Sequence, residues 1–233
     1  MNITGEVAKA VAEASKFGTK SIEATEKMLG FLSKVFNESI EQAAGIVSDR
    51  LMFIRFERLV RIEKQVEQIL GELNIEKTRP ILPKFALPML ENASLEEDDE
   101  LQDIWIKLMA NAMDPHFDAS FRMAYIEIIK GLTSLDVKIL DLVYHKIVKN
   151  GTKVRELMVK SCYSRDICND LKLSEEDYLD SIYNLFRVQC LTPTILSSRA
   201  TFAGEPFSTY KGDSEVSITP LGKNFVEACI KKD

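Results

Sequence analysis

The segment RPILPKFALPMLENASLEEDDELQDIWIKLMANAMD, Arg79 to Asp114, carries proline punctuation, a helix-start signal and an amphipathic run in one unbroken order. Pro80, Pro83 and Pro88 each lack an amide hydrogen and bias the preceding residue toward extended geometry, so an irregular chain is expected there. Ser94 with Glu97 fits a capping box, in which the hydroxyl takes the N3 amide and the carboxylate returns to the cap amide. A helix is therefore expected to begin at Ser94. Glu96 to Glu100 and Asp103 supply negative charge that the positive end of a helix dipole favours. Leu101, Ile104, Trp105, Leu108 and Ala112 then share one face, which is expected to be buried.

Upstream, residues 4 to 47 keep alternating steps of three and four, from Val7, Val11 and Ala14 through Ile22, Leu29, Leu32 and Phe36 to Ala43 and Val47. The seam suits a helix or hairpin covering the core, or a surface for self-association or for lying on a membrane. An interfacial helix prefers a net basic polar face, whereas Lys9, Lys16, Lys20, Lys27 and Lys34 are matched here by Glu6, Glu13, Glu23, Glu26, Glu38 and Glu41. Peripheral membrane contact therefore ranks below helix association. Leu51 to Leu73 predict a second helix, with Phe56, Leu59, Ile62, Val66, Ile69 and Leu73 on its apolar side. Arg55, Arg58 and Arg61 form a ridge on the other side. Three guanidinium groups there suit a phosphate or carboxylate partner, but Glu57, Glu63 and Glu67 equally make a solvated face laced with weak ion pairs. Residues 74 to 82 read as a linker.

From Thr133 onward the signals follow the order of a winged helix-turn-helix. Thr133 or Ser134 caps a helix through Leu135, Ile139, Leu142, Val143 and Ile147, which Asn150-Gly151 ends. A short helix near Val154 to Lys160 precedes another from Ser164 to Leu171, and Ser174 with Asp177 opens a third through Tyr178, Ile182, Leu185 and Phe186. Cys190 to Leu196 and Val216 to Ile218 are β-prone and predict a hairpin with a long wing. Thr219-Pro220 then caps the closing helix. The expected fold is mainly α: an N-terminal amphipathic helical region at 1–78, a central helical region at 79–131, and a winged-helix-like domain with a small β-hairpin at 132–233.

With 233 residues, 45% of them apolar, the chain can bury a substantial core. A formal charge of −6 lacks the basic excess of a broad nucleic-acid footprint. The third helix of the winged region, which such folds insert into the major groove, opens with Glu175, Glu176, Asp177 and Asp180 and carries only Arg187 near its end. Carboxylates there repel phosphates, so nucleic acid is disfavoured, although Arg199, Lys211 and Lys223 in or near the wing are placed to touch a backbone. Arg55, Arg58, Arg61, Arg187, Arg199 and Lys211 are the candidate partner-binding residues. Four cysteines without a CxxC pair read as free thiols. With no signal segment and no apolar run of roughly 20 residues, neither export nor a spanning segment is expected, and the location is read as cytoplasmic.

No cofactor, metal or catalytic residue is assigned. Glycine-rich phosphate cradles, GxSxG, HExxH and paired CxxC do not occur in the sequence. Asp114, His116 and Asp118 alternate in DPHFD, but a turn explains them more simply than a metal site, which needs three or four converging ligands. His145 is expected on an apolar helix, partly buried with a backbone partner. Trp105 is expected in the core.

The Arg79–Asp114 segment, continued by YIEIIKGLTSLDVKIL at Tyr125 to Leu140 and ITPLGKNFVEACI at Ile218 to Ile230, resembles the signature of the Abi-alpha family of bacterial abortive-infection proteins. The resemblance implies a role in defence against phage and no reaction. The functional expectation is a non-enzymatic defence protein acting by protein–protein contact or by self-association through its N-terminal helices; the alternative is a winged-helix transcription regulator.

Overall fold

The computed structural model describes residues 27, 28, 30, 31, 34, 35, 52–117, 121–148, 157, 160–194 and 214–230. Among them the protein is mainly helical with one small three-stranded sheet. It divides into two compact units, residues 1–126 and 127–233.

Unit 1 is built on α1 (Met52–Glu72), α2 (Pro83–Leu95) and α3 (Asp99–Met113). Leu59, Ile62, Val66 and Leu70 bury one stripe of α1; Ile69 is half-buried, and Leu73, expected to continue the stripe, is exposed. α1 stops there because Asn74 turns left-handed at φ 56°, Asn74 N–H donates to Gly71 O and Ile75 N–H to Leu70 O. That pair of bonds satisfies carbonyls that a helix end leaves open.

The proline-rich segment corrects two expectations. It is helical from Pro83: Pro83 stands at the first helical position, where no amide is needed, and only Pro88 forfeits a ladder bond. An interior proline costs about 3 kcal/mol, and burial of Ala86, Met89, Leu90 and Ala93 is of the size to offset it, since each large apolar side chain contributes about 1.5–3 kcal/mol. Ser94 opens no helix. It is buried in the last turn of α2 and its hydroxyl donates to Glu91 O at 2.8 Å. α3 starts instead at Asp99, with the Asp98 carboxylate accepting from the amides of Glu100 (2.8 Å) and Leu101 (3.2 Å). The predicted face of α3 is buried, Trp105 included, and Gln102, Ile106, Met109 and Ala110 are buried as well, so α3 is the centre of the unit. Met28, Phe31 and Val35 are helical and buried, one position off the seam through Leu29, Leu32 and Phe36, which lies outside the described residues.

α4 (Met123–Lys130) spans the unit boundary. In unit 2, α5 (Ser134–Ile147) opens on a complete capping box between Thr133 and Asp136, and ends at Ile147 rather than at Asn150. β1 (Cys162–Tyr163), α6 (Ser164–Leu171), α7 (Glu175–Arg187), β2 (Leu191–Pro193), β3 (Glu215–Ile218) and α8 (Pro220–Cys229) follow. Of the short helix expected near Val154 to Lys160, only Leu157 and Lys160 are described: Leu157 is helical and buried, and Lys160 is outside any helix. The expected hairpin is present as β2 against β3, with Leu191 opposite Ile218, and the wing between them lies outside the described residues. The third strand was not foreseen. β1 pairs antiparallel with β3, Cys162 opposite Val216, giving the order β1-β3-β2. Two residues are too few to carry a period-two signal.

Candidate interaction surfaces

Arg58 and Arg61 do not stand on an open ridge. Arg58 reaches from α1 to the carbonyls of Glu96 and Glu97, and Arg61 pairs with Asp99 at 2.6 Å and Asp103 at 2.8 Å while also contacting the Gln102 side-chain oxygen. Gln102 is fully buried and donates its amide to Ala93 O at 3.2 Å. The two guanidinium groups thus hold the junction of α2 and α3, which explains the acidic run by an arginine as much as by the helix dipole. Arg55 lies in α1 with its side chain outside the described set.

The other end of α3 is held by a residue that sequence reading missed. Arg79 donates Nε–H to Ala112 O at 2.9 Å, approaches Asn111 O and Phe117 O at 3.5 and 3.4 Å, and gives its backbone amide to Met113 O at 2.8 Å. A cation over the last carbonyls matches the negative end of the dipole. Its only trace in the sequence is a basic residue just before Pro80, a weak signal.

In unit 2, Arg187 bonds to Asn184 Oδ1 through Nε (2.9 Å) and Nη2 (2.6 Å), and Nη2 lies 3.5 Å from Gly131 O. Asn184 in turn donates to Gly131 O (2.6 Å) and to the buried Asp136 (2.8 Å), so Arg187 stacks onto the node that seats the start of α5 against α7. Glu175, Glu176, Asp177 and Asp180 are exposed along α7. Arg199 and Lys211 lie outside the described residues.

Asp114 caps α3 and accepts from His116 N at 2.7 Å, with His116 Nδ1 3.3 Å from the same carboxylate. Asp118 lies outside the described residues. His145 is exposed rather than partly buried; it keeps the expected backbone partner, Asp141 O at 2.9 Å. Its position on α5 is one residue past Tyr144, which takes the buried side.

Burial favours the neutral forms of two cysteines and a tyrosine in unit 2. Burial pushes the Cys190 thiol up to about 12 and raises Cys162 too. Tyr144 is pushed up to about 12, first by burial and then by the carboxylate of Glu227, to which its hydroxyl donates at 3.1 Å. Lys223 closes that group on Glu227 at 2.6 Å. All four cysteines are free thiols, and a protonated thiol is a poor nucleophile. In unit 1 an open depression of about 530 Å³ lies between Lys34, Glu67, Leu70, Gly71 and residues 75–78, with Lys34 and Glu67 paired across it at 2.6 Å. No described helix is long and apolar enough to cross a membrane.

Residues 57–229 match the model of a family described as abortive infection alpha. No curated protein and no solved structure matches the chain.

Proposed function

From the premise that this chain belongs to the abortive infection alpha family, we propose that it is a bacterial antiphage defence protein that acts through contacts with other macromolecules, by protein–protein docking or self-association, and not by catalysis. The family match over residues 57–229 carries this reading. Unit 2 is assigned to docking. Its order of helix, strand, two helices and two strands, with β3 between β1 and β2, supports reading it as a winged helix. The exposed carboxylates along α7 favour a protein over a polyphosphate at that surface, because held carboxylates repel phosphates instead of releasing counterions. The N-terminal helical region is assigned to association, and the protein to the cytoplasm. Expression in a phage-sensitive host is expected to lower phage plating or host survival after infection; unchanged plating and survival would remove the defence role.

The winged-helix order also favours a second reading, a DNA-binding transcription regulator. A gel shift on DNA from the protein's own upstream region, weakening as salt rises, supports it, and the absence of binding at low salt eliminates it.

A further inference from the structure

The outer face of α2 is apolar at its centre and oppositely charged at its two ends. Of its thirteen residues, PKFALPMLENASL, Lys84 and Glu91 alone are charged. At 3.6 residues per turn, Lys84, Leu87, Pro88, Glu91 and Leu95 fall within roughly 100° of arc, opposite the buried Ala86, Met89, Leu90 and Ala93. Lys84 and Glu91 are exposed, Leu95 is 51% exposed, and Leu87 and Pro88 are half-buried. A surface helix ordinarily turns a polar face to water; this one turns leucines and a proline.

We propose that this stripe is a homodimer contact in which α2 of one copy packs antiparallel on α2 of a second. A two-fold axis between Leu87 and Pro88 sets Leu87 against Pro88 of the second copy and places Lys84 opposite its Glu91. The same patch then meets itself, as a two-fold contact requires, and both charges are paired twice by symmetry. A helix running parallel would set each charge against its like, and a basic partner would leave Lys84 facing positive charge. The Lys84 ammonium now lies 4.7 Å from the Phe85 ring centroid, an exposed contact weak enough to yield to a carboxylate. One helix on one helix falls below the roughly 1,200 Å² of a standard interface, so the dimer forms reversibly in the micromolar range. The proposal deepens the self-association reading by moving it from the N-terminal region to α2.

Sedimentation of the full-length protein over a concentration series tests it. The wild type is expected to pass from monomer to dimer. Lys84→Glu and Glu91→Lys are each expected to weaken the dimer at least about tenfold, two pairs turning repulsive at once. Mixing the two variants restores it, since their stripes are complementary to each other. A wild type that stays monomeric overturns the proposal. A dimer that neither variant weakens overturns this surface while leaving self-association intact, and a mixture that stays monomeric overturns the antiparallel register. Should a variant lose its cooperative melt, the salt response of the wild-type dimer decides: weakening from low to high salt supports the charge pairs, and no change or tightening overturns them.

Discussion

Unit 2 starts its helices on neighbours in sequence, whereas unit 1 holds its central helix from far along the chain. α5, α7 and α8 open on Thr133, Ser174 and Thr219, each accepting an amide three residues on. α3 also has a local cap in Asp98, but Arg61 pins its first turn and Arg79 its last, across separations of 32 (Arg79–Asn111) to 42 (Arg61–Asp103) positions. A cap three residues away is part of the local code; a guanidinium from another segment arrives only once the chain has packed.

The largest effect is expected where unit 2 departs from its local rule. A Cβ on Gly222 would collide with the Cys190 carbonyl, whose carbon lies 2.8 Å from the position it would take. Gly222→Ala should therefore cost about 3 kcal/mol in denaturant unfolding, through forced separation of α8 from β2. A loss under 1 kcal/mol would show that the close approach relaxes easily.

Arg79→Ala comes next, at about 2 kcal/mol, because it strips the last carbonyls of α3 of a charged donor. Arg61→Ala should cost about 1–2 kcal/mol, chiefly through the buried Gln102 it leaves short of a partner. Asp99 and Asp103 are more than half exposed and add little. The Arg61→Ala loss should shrink only slightly in high salt, which thermal melts with and without added salt would show.

Smaller still is the contrast between two hydroxyls that look alike in sequence. Thr133→Ala is expected to cost about 1 kcal/mol by removing a working cap. Ser94→Ala should stay within about 0.5 kcal/mol, since its hydroxyl only bonds back to Glu91 O. Equal costs in urea titrations would mean that the Ser94 hydroxyl does more than the geometry gives it.

The last effect vanishes near neutral pH. The Tyr144 and Cys190 values, about 12 when folded, are raised above the ordinary 10 and 9. A raised value means that folding retains the proton, so the linked stability is complete below about pH 9 and is lost as pH climbs toward 12. The melting temperature should be flat from pH 7 to about 9 and then fall, and Tyr144→Phe should flatten part of that fall.

Much of unit 2 was legible before any coordinates. Thr133, Ser174 and Thr219-Pro220 marked their helices because cap chemistry is decided within one turn, and the periods of Ile139, Val143 and Ile147 or Tyr178, Ile182 and Leu185 marked their buried faces. Unit 1 was legible in its buried stripe and misread at its boundaries. Ser94 and Glu97 have cap chemistry, yet the chain stays helical through Leu95 because burial of Ala93 and Ser94 outweighs a cap. Pro88 has breaker chemistry, yet a single lost ladder bond is smaller than the apolar area α2 buries. The arginine ridge was legible as charge but not as contact: which carbonyls Arg58 meets and which carboxylates Arg61 meets depend on a turn between α2 and α3 some forty residues away.

What the sequence determined alone was everything set by spacing: helical character, the faces that bury, the β2–β3 hairpin and the kinship of residues 57–229. Only the tertiary structure decided where α2 ends and α3 begins, that β1 joins the sheet, and that Arg61 and Arg79 serve the fold. Those outcomes turn on sums of burial and on groups brought together by packing, and a residue's neighbours in sequence carry no record of either.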